Sequence, residues 1–153
     1  MSNPVADSIA AAEILQAPYV MEYTYRRSLG PVVGAYFTAL RDGRILGART
    51  RSGRVISPPL EWDPETGEPI AELVELAPTG TVQSWTWVAL PEARHPLTEP
   101  FAWALVKLDG ADTATLVPVL APEALLARGL RVTVRWAESR TGTVRDIACF
   151  VPA

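Results

Sequence analysis

The stretch Thr81-Val82-Gln83-Ser84-Trp85-Thr86-Trp87-Val88-Ala89-Leu90 reads as a strand, and the elements after it decide the fold. Val82, Val88 and Leu90 fall on one parity and Trp85 and Trp87 on the other, so both faces have apolar cover. Pro91 to Pro100 is a proline-bounded loop, Phe101 to Leu108 a second strand, and Asp109-Gly110 a hairpin turn into a third, Thr115 to Leu120. Pro122 to Arg128 predicts a short helix ending at Gly129. Leu130 to Ala137 alternates cleanly, with Leu130, Val132, Val134 and Trp136 on one face, and Val144 to Val151 closes the series.

Three strands, a short helix and two strands is the element order of an OB-fold, a five-stranded Greek-key barrel. Another small β-barrel or sandwich fits the same strand spacing. Upstream, Gly30 to Gly43 carries the best helical signal. Pro31 suits a first turn, Val33, Tyr36, Phe37 and Leu40 repeat at helical spacing, and Asp42-Gly43 ends it. Arg44 to Thr50 and Arg54 to Ser57 are short strands around Ser52-Gly53, and Asp63-Pro64-Glu65-Thr66-Gly67 is a second compact turn. The chain thus divides into an N-terminal tail and helix (1–43), two knuckle-shaped turns (44–70) and a barrel (71–153). Within the tail, Ser8 to Gln16 offers either a frayed end or a weak helix ordered by a partner.

Composition supports a mainly β chain. The 153 residues are 48% hydrophobic with a mean hydropathy of +0.12, enough for one packed core. Fourteen prolines, about 9% against a usual ~5%, cut the chain into short pieces. The net charge is −3, and all 14 basic residues except Lys107 are arginines, which disfavours nucleic acid as a partner. No apolar run is long enough to span a bilayer and no secretory signal opens the chain, so a cytoplasmic protein without a membrane role is expected.

No catalytic motif emerges. His95, the only histidine, sits in a loop with no nucleophile or orienting carboxylate beside it by sequence, and Cys149 lies in an apolar strand as a buried, inert thiol. Trp85, Trp87 and Trp103 could form a stacking platform, with core or interface packing as the plainer reading. Arg49, Arg51 and Arg54 could grip phosphates, against the plainer reading of a solvated or salt-bridged turn.

The pieces together resemble one family: the helix with Asp42-Gly43-Arg44-Ile45-Leu46-Gly47, the Gly53-Arg54-Val55 turn with Pro58-Pro59, and Gly80 through Thr86. Pro100-Phe101-Ala102 to Ala111, Gly129 with Val132, and Phe150-Val151-Pro152 complete the series. This is the acyl-CoA-associated OB-fold family, in which an N-terminal helix and a rubredoxin-like zinc ribbon precede the barrel. The resemblance covers about residues 20–152. Members carry two Cys-x-x-Cys knuckles. Here the first reads Thr50-Arg51-Ser52-Gly53, one residue short, and the second Asp63-Pro64-Glu65-Thr66-Gly67. The zinc positions are thus occupied by Thr50, Ser52, Asp63 and Thr66, which lack the four good donors of a structural site. A metal-free, ribbon-shaped segment held by Pro58, Pro59 and hydrogen bonds from Asp63 and Thr66 is expected.

The resemblance implies a non-catalytic accessory subunit of a thiolase-superfamily complex acting on acyl-CoA. The specific expectation is a lipid-transfer-protein-type retro-aldolase cleaving a β-hydroxyacyl-CoA side chain of a steroid. The chain would bind no cofactor of its own, with the CoA thioester as substrate of the complex. Arg49, Arg51 and Arg54 are candidates for the CoA phosphates, and Tyr36, Phe37, Leu40, Trp85 and Trp87 for the partner interface. The alternatives are an accessory subunit of a hotdog-fold enoyl-CoA hydratase and a freestanding CoA-ester-binding module.

Overall fold

The computed structural model describes residues 17–23, 28–70 and 72–153. The expectation for Ser8 to Gln16 falls outside them. Helix α1 (Pro31–Arg41) opens on a proline whose fixed φ suits the first turn, while its N-cap, Gly30, offers no side chain. The orphan amides of that turn are met from elsewhere in the chain. The Glu61 carboxylate accepts from the amides of Val33 at 2.9 Å and Val32 at 3.3 Å. A Cβ at Gly30 would run into the Glu61 carboxylate, so a larger residue there would displace this cap. The helix stops at Gly43, whose φ of +76° suits glycine.

A three-stranded antiparallel sheet follows, in the order β2-β1-β3, with β1 (Ile45–Arg49), β2 (Val55–Ile56) and β3 (Glu72–Leu76). Strand β3 pairs with β1 along its whole length, Ile45 opposite Leu76 to Arg49 opposite Glu72. The ribbon therefore runs to Leu76, past the boundary at residue 70 expected from the sequence. Strand β3 alternates only weakly, with Leu76 its one buried side chain, so its sequence carries little strand signal.

The rest is a closed barrel in the order β4-β5-β6-β8-β7, with β4 (Thr79–Val88), β5 (Phe101–Leu108), β6 (Ala114–Val119), β7 (Arg131–Trp136) and β8 (Ile147–Pro152). Strand β4 serves both neighbours where it closes the barrel, Gly80 lying opposite Leu108 on one side and Val132 on the other. A Cβ at Gly80 would stand 2.7 Å from the Lys107 carbonyl, so the close approach requires glycine. The expected helix at 122–128 shrinks to one 3-10 turn, Glu123–Leu125. The last strand begins three residues late, after a 3-10 turn over Val144–Asp146.

One apolar core runs through all three regions. Tyr36 and Leu40 of the helix, Ile45, Val55 and Leu76 of the ribbon, and Val82, Val106, Val132 and Phe150 of the barrel belong to a single buried cluster. Side chains stitch ribbon to barrel as well. Asp112 accepts from the Val55 amide at 2.8 Å, and the Thr113 hydroxyl both accepts from the Ser57 amide and donates to its carbonyl.

Candidate functional site

The two knuckles stand side by side and both are closed by their own backbone. In the first, the Gly53 amide donates to Thr50 and the Thr50 amide to Arg54, and the Thr50 and Ser52 hydroxyls meet at 2.8 Å. In the second, the Gly67 amide donates to Asp63 and the Asp63 amide to Glu68. Asp63 Oδ1 accepts from the Glu65 amide at 2.9 Å, and Thr66 Oγ1 from the Glu68 amide at 3.3 Å. Thr50 and Asp63 are buried while Ser52 and Thr66 are exposed. Their oxygens are three hydroxyls and one carboxylate, already engaged in these turns, and this set does not fit a structural zinc. Among the described residues no group of three or more His, Cys, Asp or Glu side chains converges as metal ligands would.

The arginines on this ribbon face carboxylates. Arg49 Nε lies 2.5 Å from Glu72, Arg51 3.6 Å from Glu68, and Arg54 pairs with Glu65. The structure thus gives Arg49, Arg51 and Arg54 partners within the chain, the salt-bridged arrangement weighed above against a phosphate grip.

Helix α1 does not present its apolar stripe outward. Tyr36 and Leu40 are buried in the shared core and Phe37 packs against it. Tyr36 and Leu40 thus meet the ribbon and barrel of their own chain, while Phe37 stays half-buried at the edge of that contact. Burial also pushes the Tyr36 hydroxyl above its ordinary pKa.

The three tryptophans do not share one platform. Across β4 and β5, Trp85 lies opposite Ala104 and Trp87 opposite Ala102, both buried alanines, whereas Trp103 lies opposite Thr86. Directly opposed residues share a face, so Trp103 stands on the opposite side of the sheet from Trp85 and Trp87. The register shifts by one residue between Val82 and Ser84, so Val82, opposite Val106, shares a face with Trp85 and Trp87 and the expected split between them by parity does not hold. Trp87 packs against the core, and Trp85 stays partly open to solvent.

His95 serves its loop. Its Nδ1 accepts from the Glu92 amide at 2.8 Å, and its ring meets Phe101 edge-on at 5.7 Å. Cys149 is buried, and burial raises its thiol pKa against the opposing pull of Arg135, as an inert thiol requires. Asp146 was missed by the sequence reading. Although burial alone would raise its pKa, the amides of Thr141, Gly142 and Thr143, at 2.9, 2.7 and 3.1 Å, hold it below the ordinary carboxylate value. Thr143 and Asp146 form a capping box, and a Thr-x-x-Asp before an apolar run is the signal that could have found it.

Residues 73–137 match the family model described as "ChsH2, C-terminal OB-fold domain". That match spans the barrel from before β4 to the end of β7. Two solved structures extend the likeness over the ribbon. One, described as the Ltp2-ChsH2(DUF35) aldolase, aligns at a TM-score of 0.60 and 22% identity, covering 83% of this chain and 98% of that one. The other, a protein of unknown function from the DUF35 family of Sulfolobus solfataricus, aligns at a TM-score of 0.56 and 20% identity, covering 69% and 78%. A comparison with curated proteins finds no match.

In OB-folds the outer face of the second and third strands is where ligands commonly lie. These are β5 and β6 here. Leu105 and Leu116 stand directly opposite each other on that face, 41% and 61% exposed, with Trp103 and Pro118 opposed in the same parity and Lys107 two residues beyond Leu105. This apolar strip, rather than helix α1, is the surface the OB-fold leaves uncovered.

Proposed function

We propose that the chain is a non-catalytic accessory subunit of an aldolase assembly. The observation that carries this reading is the match of residues 73–137 to the ChsH2 OB-fold domain. The likeness to a structure described as an Ltp2-ChsH2(DUF35) aldolase supports it. So does the use of each reactive side chain: His95 binds its own loop, Cys149 is buried, and Asp146 is saturated by backbone amides. The finer reading follows the family resemblance. The partner is a thiolase-like enzyme of the lipid-transfer-protein type, the reaction is retro-aldol cleavage of a β-hydroxyacyl-CoA, and a steroid side chain is the acyl group. The CoA thioester is the substrate of the complex. The uncovered strip at Leu105 and Leu116 suits a protein interface better than open solvent.

Co-expression with a thiolase-like enzyme of that type from the same genome tests the proposal. The two chains should co-elute, and cleavage of a β-hydroxyacyl-CoA should need both. Separate elution, with the enzyme fully active alone, would overturn it. Co-elution with a hotdog-fold hydratase instead would move the chain to the neighbouring reaction class.

A further inference from the structure

Charge is segregated along the ribbon in a way no turn requires. From Arg44 to Arg54 every charged residue is an arginine, and from Glu61 to Glu75 every one is acidic. The fold lays these two stretches antiparallel, and the pairs fall in one descending series. Arg44 meets Glu75 at 2.7 Å, Arg49 meets Glu72 at 2.5 Å, Arg51 meets Glu68 at 3.6 Å, and Arg54 meets Glu65. All four arginines of the first stretch and all four glutamates from 65 onward are used. The last two pairs run from one knuckle to the other, across the gap that zinc would span in the resembling family.

We propose that this ribbon closes by a charge zipper in place of a metal, Arg51–Glu68 and Arg54–Glu65 joining the knuckles and Arg44–Glu75 and Arg49–Glu72 continuing the closure along β1 and β3. The donor set at Thr50, Ser52, Asp63 and Thr66 leaves no competing zinc site. Exposed ion pairs are individually weak and screened by salt, but a network along one register adds up and fixes which strand lies against which. A zinc centre would behave in the opposite way, indifferent to ionic strength and destroyed by a chelator. The remaining stability comes from Ile45, Val55 and Leu76 in the shared core. The zipper therefore sets how firmly the knuckles stay closed, not whether the chain folds.

Hydrogen exchange on the full chain reads this directly. The Thr50 and Asp63 amides, which donate to Arg54 and Glu68, report on the knuckles, and the Leu120 amide, which donates to Phe150, reports on the barrel. Raising sodium chloride from about 50 mM to about 1 M should lower protection at the two knuckle amides roughly two- to five-fold or more while leaving Leu120 in place. EDTA should change none of the three. Arg54→Glu should loosen the knuckles, and Arg54→Glu with Glu65→Arg should restore them. If a single variant fails to fold, the salt titration of the unaltered chain still decides. Stoichiometric zinc in the purified protein, collapse of knuckle protection in EDTA, or protection indifferent to salt would each overturn the proposal. Loss of the aldolase partnership would leave it standing, since the readout is the isolated chain.

Discussion

Ribbon and barrel sit on one core but are held by different physics. In the barrel, five paired strands close on one another and bury Val82, Val106, Val119, Val132 and Phe150 almost completely. In the ribbon, a two-residue strand, two turns and a row of ion pairs surround only a few buried side chains. The lesson is that apolar burial specifies the barrel, while directional polar contacts specify the ribbon and the joints around it. The two regions should fail under different challenges.

The largest effect should come from the core they share. Phe150 is fully buried in the common cluster, so Phe150→Ala should cost about 3–5 kcal/mol in urea unfolding. Knuckle and barrel amides should lose protection together. Ribbon loss alone would mean that the two regions do not share a core.

Next comes Asp146, the polar pivot of the barrel. Replacement by alanine removes the acceptor of three partly buried amides, at a cost of about 1–3 kcal/mol. The pH dependence has a fixed sign. The folded-state pKa is depressed, so this stabilisation is complete above the unfolded value near 3.8 and disappears as pH falls through the lower folded value. Unfolding midpoints measured from pH 6 down to pH 2 should decline more steeply in the unaltered chain than in Asp146→Ala.

Glu61 should have a smaller, more local effect. It caps helix α1 from the ribbon, and Glu61→Ala should cost about 1 kcal/mol, with fraying of the first helical turn seen in exchange of the Val32 and Val33 amides. Glu61→Gln, which keeps an acceptor and loses the charge, should fall between the two.

The same division explains what the sequence disclosed. Period-two alternation placed β5 and β7 because one face of each strand is buried, and the turn chemistry of Asp109-Gly110 and Gly129 placed their ends. Helical spacing marks α1 and turn chemistry marks the two knuckles, and the family resemblance identifies those knuckles as a ribbon. Glu61 and the partners of Arg49, Arg51 and Arg54 are hidden because each contact depends on three-dimensional placement that no local period encodes, whereas Asp146 is a local cap whose Thr-x-x-Asp signal stands in the sequence. Glu61 reaches across 28 residues to Val33. Both halves of the four ion pairs on the ribbon are legible as runs of one sign, Arg44 to Arg54 and Glu61 to Glu75, but their pairing is not. Tyr36, Phe37 and Leu40 announce an apolar face in the same way, and nothing in their spacing says whose surface covers it.

The smallest expected effect sets one ion pair against another. On the barrel, Arg131 grips Asp109 through two nitrogens at 2.7 and 2.5 Å, and the Thr79 hydroxyl donates to the same carboxylate. Hydrogen bonds from Arg131 and then Thr79 lower the Asp109 pKa to about 2. Its contribution is therefore complete above the unfolded value of 3.8, neutrality included, and fades only between there and about 2. The pair is solvent-exposed, and the ladder from Thr79 opposite Thr133 to Thr81 opposite Arg131 holds the strands whether or not it forms. Asp109→Asn should thus leave barrel amide protection unchanged at pH 7 in both low and high salt. Breaking the chemically similar Arg54–Glu65 pair should open the knuckles, because no comparable ladder joins them. Equal sensitivity at the two sites would mean that the ladder, not the charge, distinguishes nothing between them.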